Sequence, residues 1–390
     1  MPLRMVGDAE RRARLAVRHA LADRVGSAAS AARAVVCLHA TEPASVHLAV
    51  AARSDASLAA VDAALYDERS VVKQLAMRRT VFAFPRELLP AVWASAAART
   101  AAQQRDRLAR DVVKGGLAED GDTWVRRTSD AVLELLAEQG PMTTMELRAA
   151  VPAMDGRFNP APGKKYGREI PIGPRVLITL AASGRVLRGE NAGPWKTSRP
   201  RWTLCEQWLG EAPEPLEERA GYAELVRAWL GRFGPGTEVD IVWWLGATKA
   251  AVRCALSDVG ALEVATSTGT AYVLPGDEDP TPPPQPWAAL LPALDPTTMG
   301  WKQRGFYLGE NAGRVFDRNG NAGPTAWWDG RVVGGWRQQP DGGVEVVPCT
   351  DLGAEATAAL AAEAERLTEW LAGEVVVTIY QAPLVRSLNR

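Results

Sequence analysis

The sequence predicts an α+β protein in which tandem winged-helix modules, each a helix-turn-helix with a β-wing, precede a small antiparallel β-barrel at the C-terminal end. Two successive segments show the same order of three helices and a β-hairpin, and a Gly-Pro break precedes the second helix of each. A strand-rich pattern then follows an acidic, proline-rich stretch. At 390 residues the chain is too long for one ordinary core, so we expect several packed modules.

The first predicted module, residues 1–122, is mostly helical and winged-helix-like. Residues 9–25 have apolar side chains spaced three and four apart with arginines on the other face, which predicts an amphipathic helix. The same spacing predicts helices near residues 43–53, 57–67, 69–77 and 86–111. A short β-type run from Val81 to Phe84 ends at Pro85.

The second predicted module, residues 123–210, has the complete winged-helix order. A helix ends at the Gly140-Pro141 break, a short helix begins at Thr143 or Thr144, and a loop leads to a third helix near 174–184. Two strands follow at 185–188 and 201–204. The loop between these strands is rich in Gly, Pro and basic residues and is predicted to be the wing.

The third predicted module, residues 211–275, repeats this order about 94 residues later. A helix at 219–232 ends in Gly-Pro-Gly-Thr at 234–237, which matches the Gly-Pro-Met-Thr at 140–143. An apolar segment at 238–246, a helix at 247–259 and a hairpin at 261–275 complete the repeated order. Residues 276–286 are acidic and proline-rich, and are predicted to be an exposed linker.

The last predicted module, residues 287–390, is barrel-like. From residue 287 to 348 apolar and polar residues alternate between turn signals at 317–321, 329–330 and 341–343. A helix at 353–372 and a final strand from Glu374 to Tyr380 are expected to close it.

Composition excludes several classes of protein. The four cysteines lie far apart without a CxxC pair, and the three histidines show no metal-binding spacing. We therefore predict no metal site, no cofactor and no disulfide framework. There is no run of eighteen apolar residues and no leader-like N-terminus, so we expect a cytoplasmic protein with no membrane contact.

The net charge of -1 conceals an asymmetry between the two halves of the chain. Residues 1–205 contain 31 Lys and Arg against 21 Asp and Glu, whereas residues 206–390 contain 14 against 25. A face that binds a polyanion beside an acidic remainder produces this pattern, and so does ordinary variation in surface charge.

The densest basic stretch favours the polyanion. Residues 157–202 contain ten Lys and Arg against two Glu, and they include the predicted third helix and wing, the parts of a winged helix that meet duplex DNA. Trp195, in the wing, either wedges between bases or simply packs the wing down. Within this stretch the predicted DNA contacts are Lys164, Lys165, Arg168, Arg175, Arg188, Trp195, Lys196, Arg199 and Arg201.

Several sequence segments carry a family resemblance that extends over nearly the whole chain. They are LHATEP at 38–43, His47-Leu48, Met77 to Thr80, GRVLRG at 184–189, Trp202-Thr203, WWLG at 243–246, LLPALDPTTMGWKQR at 290–304, DRNGNAGPTAWWDGRVVGGW at 317–336 and YQAPL at 380–384. In these segments the chain resembles the winged-helix DNA glycosylases of the AlkZ and YcaQ type.

The resemblance implies a monofunctional DNA glycosylase that encloses double-stranded DNA and hydrolyses the N-glycosidic bond of purines alkylated at N7 or N3. Its role would be DNA repair or resistance to alkylating agents, and its location the nucleoid. The chain has no dimer-forming heptads, so we expect a monomer. The family's Gln-x-Gln or Gln-x-Asp motif falls on His39 and Thr41, which is a departure from the family pattern.

The residues at these positions suit the predicted chemistry, because an alkylated purine is already cationic and leaves without a strong acid. A neutral His39 imidazole can accept a proton from the attacking water or orient it. The Thr41 hydroxyl can hold that water, and the Glu42 carboxylate can stabilise positive charge on the sugar. Ordinary structural roles are also open: Thr41 is a good helix N-cap, and His39 can bond to a backbone carbonyl.

Two further predictions concern neighbouring residues. Of Arg78 and Arg79, one is expected to contact a phosphate, although arginines at a helix end also occur without a function. His47 lies on the next helix and is a further candidate for the cleft. A second class of function stays open, a non-catalytic winged-helix protein that binds DNA for regulation or damage sensing.

Overall fold

A computed structural model describes residues 3–165, 167–211 and 214–387. Within these residues short 3-10 or π-helical turns occur at Ala63–Asp67, Met77–Arg79, Arg86–Leu88, Trp93–Ala97, Pro152–Asp155 and Gly309–Asn311. The α-helices are α1 (Asp8–Arg18), α2 (Ala28–Ala34), α3 (Pro43–Ala51), α4 (Leu58–Asp62), α5 (Leu89–Val92), α6 (Ala98–Lys114), α7 (Gly121–Gln139), α8 (Thr144–Ala150), α9 (Gly173–Ala182), α10 (Cys205–Leu209), α11 (Glu218–Phe233), α12 (Glu238–Leu245), α13 (Lys249–Asp258), α14 (Pro296–Met299), α15 (Gly305–Leu308), α16 (Ala312–Val315), α17 (Ala354–Leu371) and α18 (Pro383–Arg386).

The strands form small antiparallel sheets, so the predicted α+β class is confirmed. The sheets have the strand orders β1-β3-β2, β4-β8-β7, β5-β6, β9-β10 and β11-β12-β13-β14. The strands are β1 (Leu38–His39), β2 (Val71–Leu75), β3 (Val81–Pro85), β4 (Met142–Thr143), β5 (Arg157–Phe158), β6 (Ile170–Pro171), β7 (Val186–Asn191), β8 (Pro200–Leu204), β9 (Leu262–Thr266), β10 (Gly269–Val273), β11 (Ala288–Leu291), β12 (Thr325–Trp328), β13 (Arg331–Gln338) and β14 (Val344–Pro348).

The chain folds into two compact units made from non-contiguous stretches. The first unit contains residues 1–72, 82–88 and 222–390, and the second contains residues 73–81 and 89–221. The consecutive modules that the sequence predicts stay a prediction.

The core of the first unit is an aromatic cluster. Trp229 stacks on Phe233 at 5.6 Å between ring centroids, and Phe233 meets Trp301 edge-on with 5.1 Å between the centroids. Gly236 is required here, because a Cβ at that position would lie 2.2 Å from the Trp229 ring. The cluster brings α11 against the loop that follows α14.

A fully buried ion pair lies beside this cluster. Arg53 donates to both carboxylate oxygens of Asp295 at 2.8 and 2.6 Å, and both side chains are 0% exposed. Arg53 also donates to the Thr297 hydroxyl at 2.8 Å, and that hydroxyl lies 2.8 Å from Nδ1 of His19. Desolvation lowers the pKa of His19 well below 6.5, so this ring is neutral near pH 7.

The C-terminal part of the first unit corrects two predictions. The sheet β11-β12-β13-β14 has two free edges within the described residues, so the predicted closed barrel is wrong. Residues 374–380, predicted as a final strand, join no strand there. Helix α17 packs on this open sheet instead and covers the apolar face that a barrel would have closed.

The second unit is built around α6, α7 and α9. Their buried faces meet through residues such as Leu108, Val132 and Leu177, and strand β8 contributes Trp202 to the same core. Strand β4 lies between α7 and α8 in the chain and pairs with β8, which pairs in turn with β7. Thr143 caps α8 in a capping box with Glu146, as the sequence pattern indicates.

One predicted helix is a strand. The apolar spacing of residues 69–77 predicts a helix, but Val71–Leu75 forms β2, in which four of the five side chains are buried. A run of Val, Val and Leu that is buried on both faces has no clean alternation, so its period does not separate helix from strand.

No helix in the described part of the chain is long and apolar enough to cross a membrane. The same residues contain no group of three His, Cys, Asp or Glu side chains placed to hold a metal ion.

Candidate functional site

The His39 side chain lies on β1, which pairs with β3 so that His39 is opposite Phe82. The ring is 8% exposed and meets Phe82 edge-on, with 5.2 Å between the ring centroids. The Thr41 backbone N–H donates to Nδ1 of His39 at 3.4 Å. Because Nδ1 accepts this bond, the neutral ring carries its proton on Nε2, and Nε2–H is a hydrogen-bond donor.

Thr41 is exposed and lies two residues after the end of β1. It is not the N-cap of α3, which corrects the structural role that its sequence position suggests: the N-cap is Glu42, in extended conformation, with Pro43 in the first turn. The Thr41 hydroxyl has no hydrogen-bond partner within the described ranges, so it is available to a molecule in solvent.

Glu42 is buried, with 5% of its surface exposed, and its carboxylate holds the C-terminal segment (residues 374–381) in place. It accepts hydrogen bonds from the Ile379 backbone N–H at 2.6 Å and from the Thr378 hydroxyl at 2.8 Å. The Ser45 hydroxyl is a third donor at 3.5 Å. Desolvation raises the pKa of Glu42 despite these bonds, which favour the charged form.

The same carboxylate lines a cavity of about 400 Å³, which we call the Glu42 cavity. Its walls are mostly apolar and come from α3, from the loops after β11 and before β12, from the end of β13 and from the C-terminal segment. Its polar lining includes Gln338 and Gln381. Neither His39 nor Thr41 lines it.

His47 lies on α3 with its side chain fully buried. Its Nε2 atom is 2.9 Å from a carboxylate oxygen of Asp62, so this ring joins α3 to the end of α4.

Arg78 and Arg79 occupy the tip of the β2–β3 hairpin and not a helix end. Both residues are in the left-handed region, with φ of 55° and 60°, and the Thr80 N–H donates to the Met77 carbonyl at 3.1 Å. This is the geometry of a two-residue hairpin turn. Asn-Gly adopts this backbone conformation with less strain than Arg-Arg. Arg79 is exposed and Arg78 is half-buried.

The basic stretch of the second unit contains a hairpin that sequence reasoning missed. Strands β5 and β6 pair antiparallel, with Arg157 opposite Pro171, where the sequence suggested only a connecting loop. Lys164, Lys165 and Arg168 are exposed in this loop. Two-residue strands separated by eleven residues leave little periodic signal to find.

The other predicted DNA contacts include two arginines whose guanidinium groups already interact with side chains of the protein. Arg175 forms an ion pair with Asp111 and lies over the Phe158 ring, so its charge is already compensated. Arg188 lies over the Trp202 ring, with its guanidinium carbon 4.6 Å from the ring centroid, and burial lowers its pKa to about 10.

The wing itself presents a mixture of exposed and half-buried side chains. Arg199 is exposed, whereas Trp195 and Lys196 are half-buried. Arg201 donates to the Pro141 carbonyl at 3.3 Å and so ties β8 to the start of β4.

The residues that sequence reasoning missed are those of the C-terminal segment that contact Glu42. In the sequence the YQAPL run at 380–384 shows only the family resemblance, and Thr378 and Ile379 belong to the predicted final strand. No local pattern indicates that these residues lie beside Glu42, which precedes them by more than 330 positions.

Comparison with known proteins gives a family match and similarity to solved structures. Residues 32–370 match the family described as DNA glycosylase AlkZ-like. Among solved structures the fold is similar to that of the Streptomyces sahachiroi DNA glycosylase AlkZ, with a TM-score of 0.66 and 20% sequence identity, over 95% of this chain and 98% of that chain. No curated protein sequence matches.

Proposed function

This chain belongs to the AlkZ-like DNA glycosylase family, and from that premise we propose that it hydrolyses the N-glycosidic bond of purines alkylated at N7 or N3 in duplex DNA. The observation that carries this proposal is the hydrogen bond from the Thr41 amide to Nδ1 of His39, which places an imidazole next to the exposed Thr41 residue. That bond orients the ring, and we propose that its Nε2–H and the Thr41 hydroxyl bind one water molecule.

The proposed reaction needs little acid or base chemistry. The bond from C1′ of the sugar to the purine nitrogen breaks, and its electron pair neutralises the cationic base, which leaves. Water adds to C1′ and loses a proton to solvent, which gives an abasic site. His39 and Thr41 orient that water, since a neutral Nε2–H donates to its oxygen and the Thr41 oxygen accepts one of its hydrogens.

We further propose that two parts of the chain are winged helices that bind DNA. In the first, α7, β4, α8, α9, β7 and β8 follow in the order of that fold, and β4 pairs with the wing hairpin. In the second, α11, α12, α13, β9 and β10 repeat the order, and a bridge between Gly236 and Tyr272 replaces the third strand.

The exposed cations of the first winged helix are expected to contact phosphates. Replacing Lys164, Lys165 and Arg199 together by alanine should lower duplex affinity and reduce the slope of log K against log salt by about 0.9 for each phosphate that is no longer bound. The slope is measured by fluorescence anisotropy at several salt concentrations. Arg331→Ala, at an exposed turn outside this stretch, is the control; an unchanged slope in the triple variant would remove these residues from the interface.

The activity is tested with a duplex that contains a single N7-methylguanine. The wild-type protein should release the free base and leave an abasic site faster than the spontaneous reaction, as measured by alkaline cleavage of the labelled strand. If intact binding to the duplex is accompanied by no release, with N7-methylguanine and with a bulkier N7 adduct, the proposed activity is rejected.

One observation favours the second candidate, a non-catalytic DNA-binding protein. The His39 ring is 8% exposed and lies against Phe82, as expected of a residue kept for packing. In that case release would stay at the spontaneous rate while the salt-dependent binding to the duplex would persist.

A further inference from the structure

We propose that the Glu42 cavity binds the cationic alkylated purine itself, and that Glu42 discriminates this base from an undamaged one. This inference rests on the proposed function, because it concerns the substrate specificity of the proposed glycosylase. It places that specificity in the Glu42 cavity and not at His39 and Thr41.

The size and lining of the cavity suit a planar heterocycle. Its volume of about 400 Å³ lies in the range of ~300–1,000 Å³ that is usual for small-molecule sites. Its apolar walls include Leu48, Pro292, Pro324, Trp336, Val376 and Val385. Rigid side chains such as proline and tryptophan contact the faces of an aromatic ring with little loss of entropy.

Glu42 is the acidic residue that lines this cavity. No Lys, Arg or His nitrogen lies within 4.0 Å of the Glu42 carboxylate in the described part of the chain. Arg337 lines the same cavity, but its Nε donates to Glu345 at 2.6 Å. A buried carboxylate without a cation is costly, so a cationic ligand recovers free energy there that a neutral ligand does not.

The hydrogen-bonding groups that line the cavity can bind a cationic ligand. A carboxylate has about four acceptor positions, and the donors to Glu42 within the described residues are Ser45, Thr378 and Ile379. The Gln381 side-chain amide also lines the cavity and has no hydrogen-bond partner in that part of the chain. One donor and one acceptor on this amide can pair with the polar edge of a purine.

The wall that closes the cavity is attached by side chains and not by a sheet. Gln338 accepts from the Val376 N–H at 2.8 Å and donates to the Glu374 carbonyl at 2.8 Å, and Glu42 holds residues 378 and 379. Residues 374–381 can therefore move outward and admit a base without breaking strand pairing. Because the base becomes neutral when its bond to the sugar breaks, its attraction to Glu42 ends with the reaction, which favours release.

Nucleoside binding in the absence of DNA tests the inference directly. By isothermal titration calorimetry the full-length protein should bind 7-methylguanosine, a cation, at least roughly tenfold more tightly than neutral guanosine, the factor expected for one charged hydrogen bond. In Glu42→Gln this preference should fall to within about twofold. Glu365→Gln, an exposed carboxylate on α17, is the matched control and should keep the preference.

A second experiment uses DNA and distinguishes a failure of this inference from a failure of the proposed activity. With a duplex containing N7-methylguanine, Glu42→Gln should raise KM at least several-fold and should not lower kcat, because it removes binding to the cationic base that weakens as the base leaves. Gln381→Ala, which breaks no internal bond, should act in the same direction if Glu42→Gln does not fold. Equal binding of the two nucleosides by wild type, or a preference that survives in folded Glu42→Gln, overturns the inference even if the protein is an active glycosylase. A preference for 7-methylguanosine in a protein that releases no base would uphold the site and reject the proposed activity.

Discussion

Replacement of His39 by alanine is expected to lower the single-turnover rate of base release by about 100-fold, the loss typical when a reacting molecule is no longer held in position. The Thr41 amide fixes the His39 ring through Nδ1, so the variant loses the oriented Nε2–H and not merely a polar surface. The rate is measured with excess enzyme on a duplex containing N7-methylguanine. Duplex affinity should change much less than the rate.

Two matched variants decide whether the imidazole acts in catalysis or only packs against Phe82. The resemblance places a glutamine of the family motif at this position, so His39→Gln should retain much more activity than His39→Ala. His39→Phe should keep the contact with the Phe82 ring but lose the activity. A folded His39→Ala protein with wild-type release would show that this residue is not part of the chemistry.

Replacement of Asp295 by alanine is expected to lower the free energy of unfolding by about 3–5 kcal/mol, the usual cost of breaking a buried ion pair from one side. The Arg53 guanidinium would remain fully buried without its bidentate partner. Asp295 also caps α14 by accepting from the Thr297 N–H at 2.9 Å, so a second stabilising bond disappears. Equilibrium unfolding in urea measures the change.

The control for this prediction is a double variant. Arg53→Leu combined with Asp295→Ala removes both charges and should be less destabilised than Asp295→Ala alone, since no unpaired charge remains. Asp122→Ala breaks an exposed pair with Arg105 and should cost less than about 1 kcal/mol. A loss of similar size in the single Asp295 variant and in the double variant would show that the packing of this region matters more than the ion pair.

Local signals predicted most elements of the second unit. Helix α8 begins directly after its N-cap Thr143 because the Thr side chain and Glu146 satisfy the first backbone donors, and both residues are close in sequence. The predictions failed where a segment is buried on both faces, as in β2, or where pairing is very short, as in β5 and β6. In those segments the stabilising contacts come from elsewhere in the chain and leave no periodic pattern.

The sequence by itself determined most of the order of helices and strands, the basic character of residues 157–202 and the family resemblance, because each depends on neighbouring residues or on composition. Only the tertiary structure decided that the C-terminal sheet is open, that Glu42 holds residues 378 and 379, and that Arg53 pairs with Asp295. The two pairings join positions that are more than 200 residues apart, where burial and charge compensation, and not local propensity, select the partner.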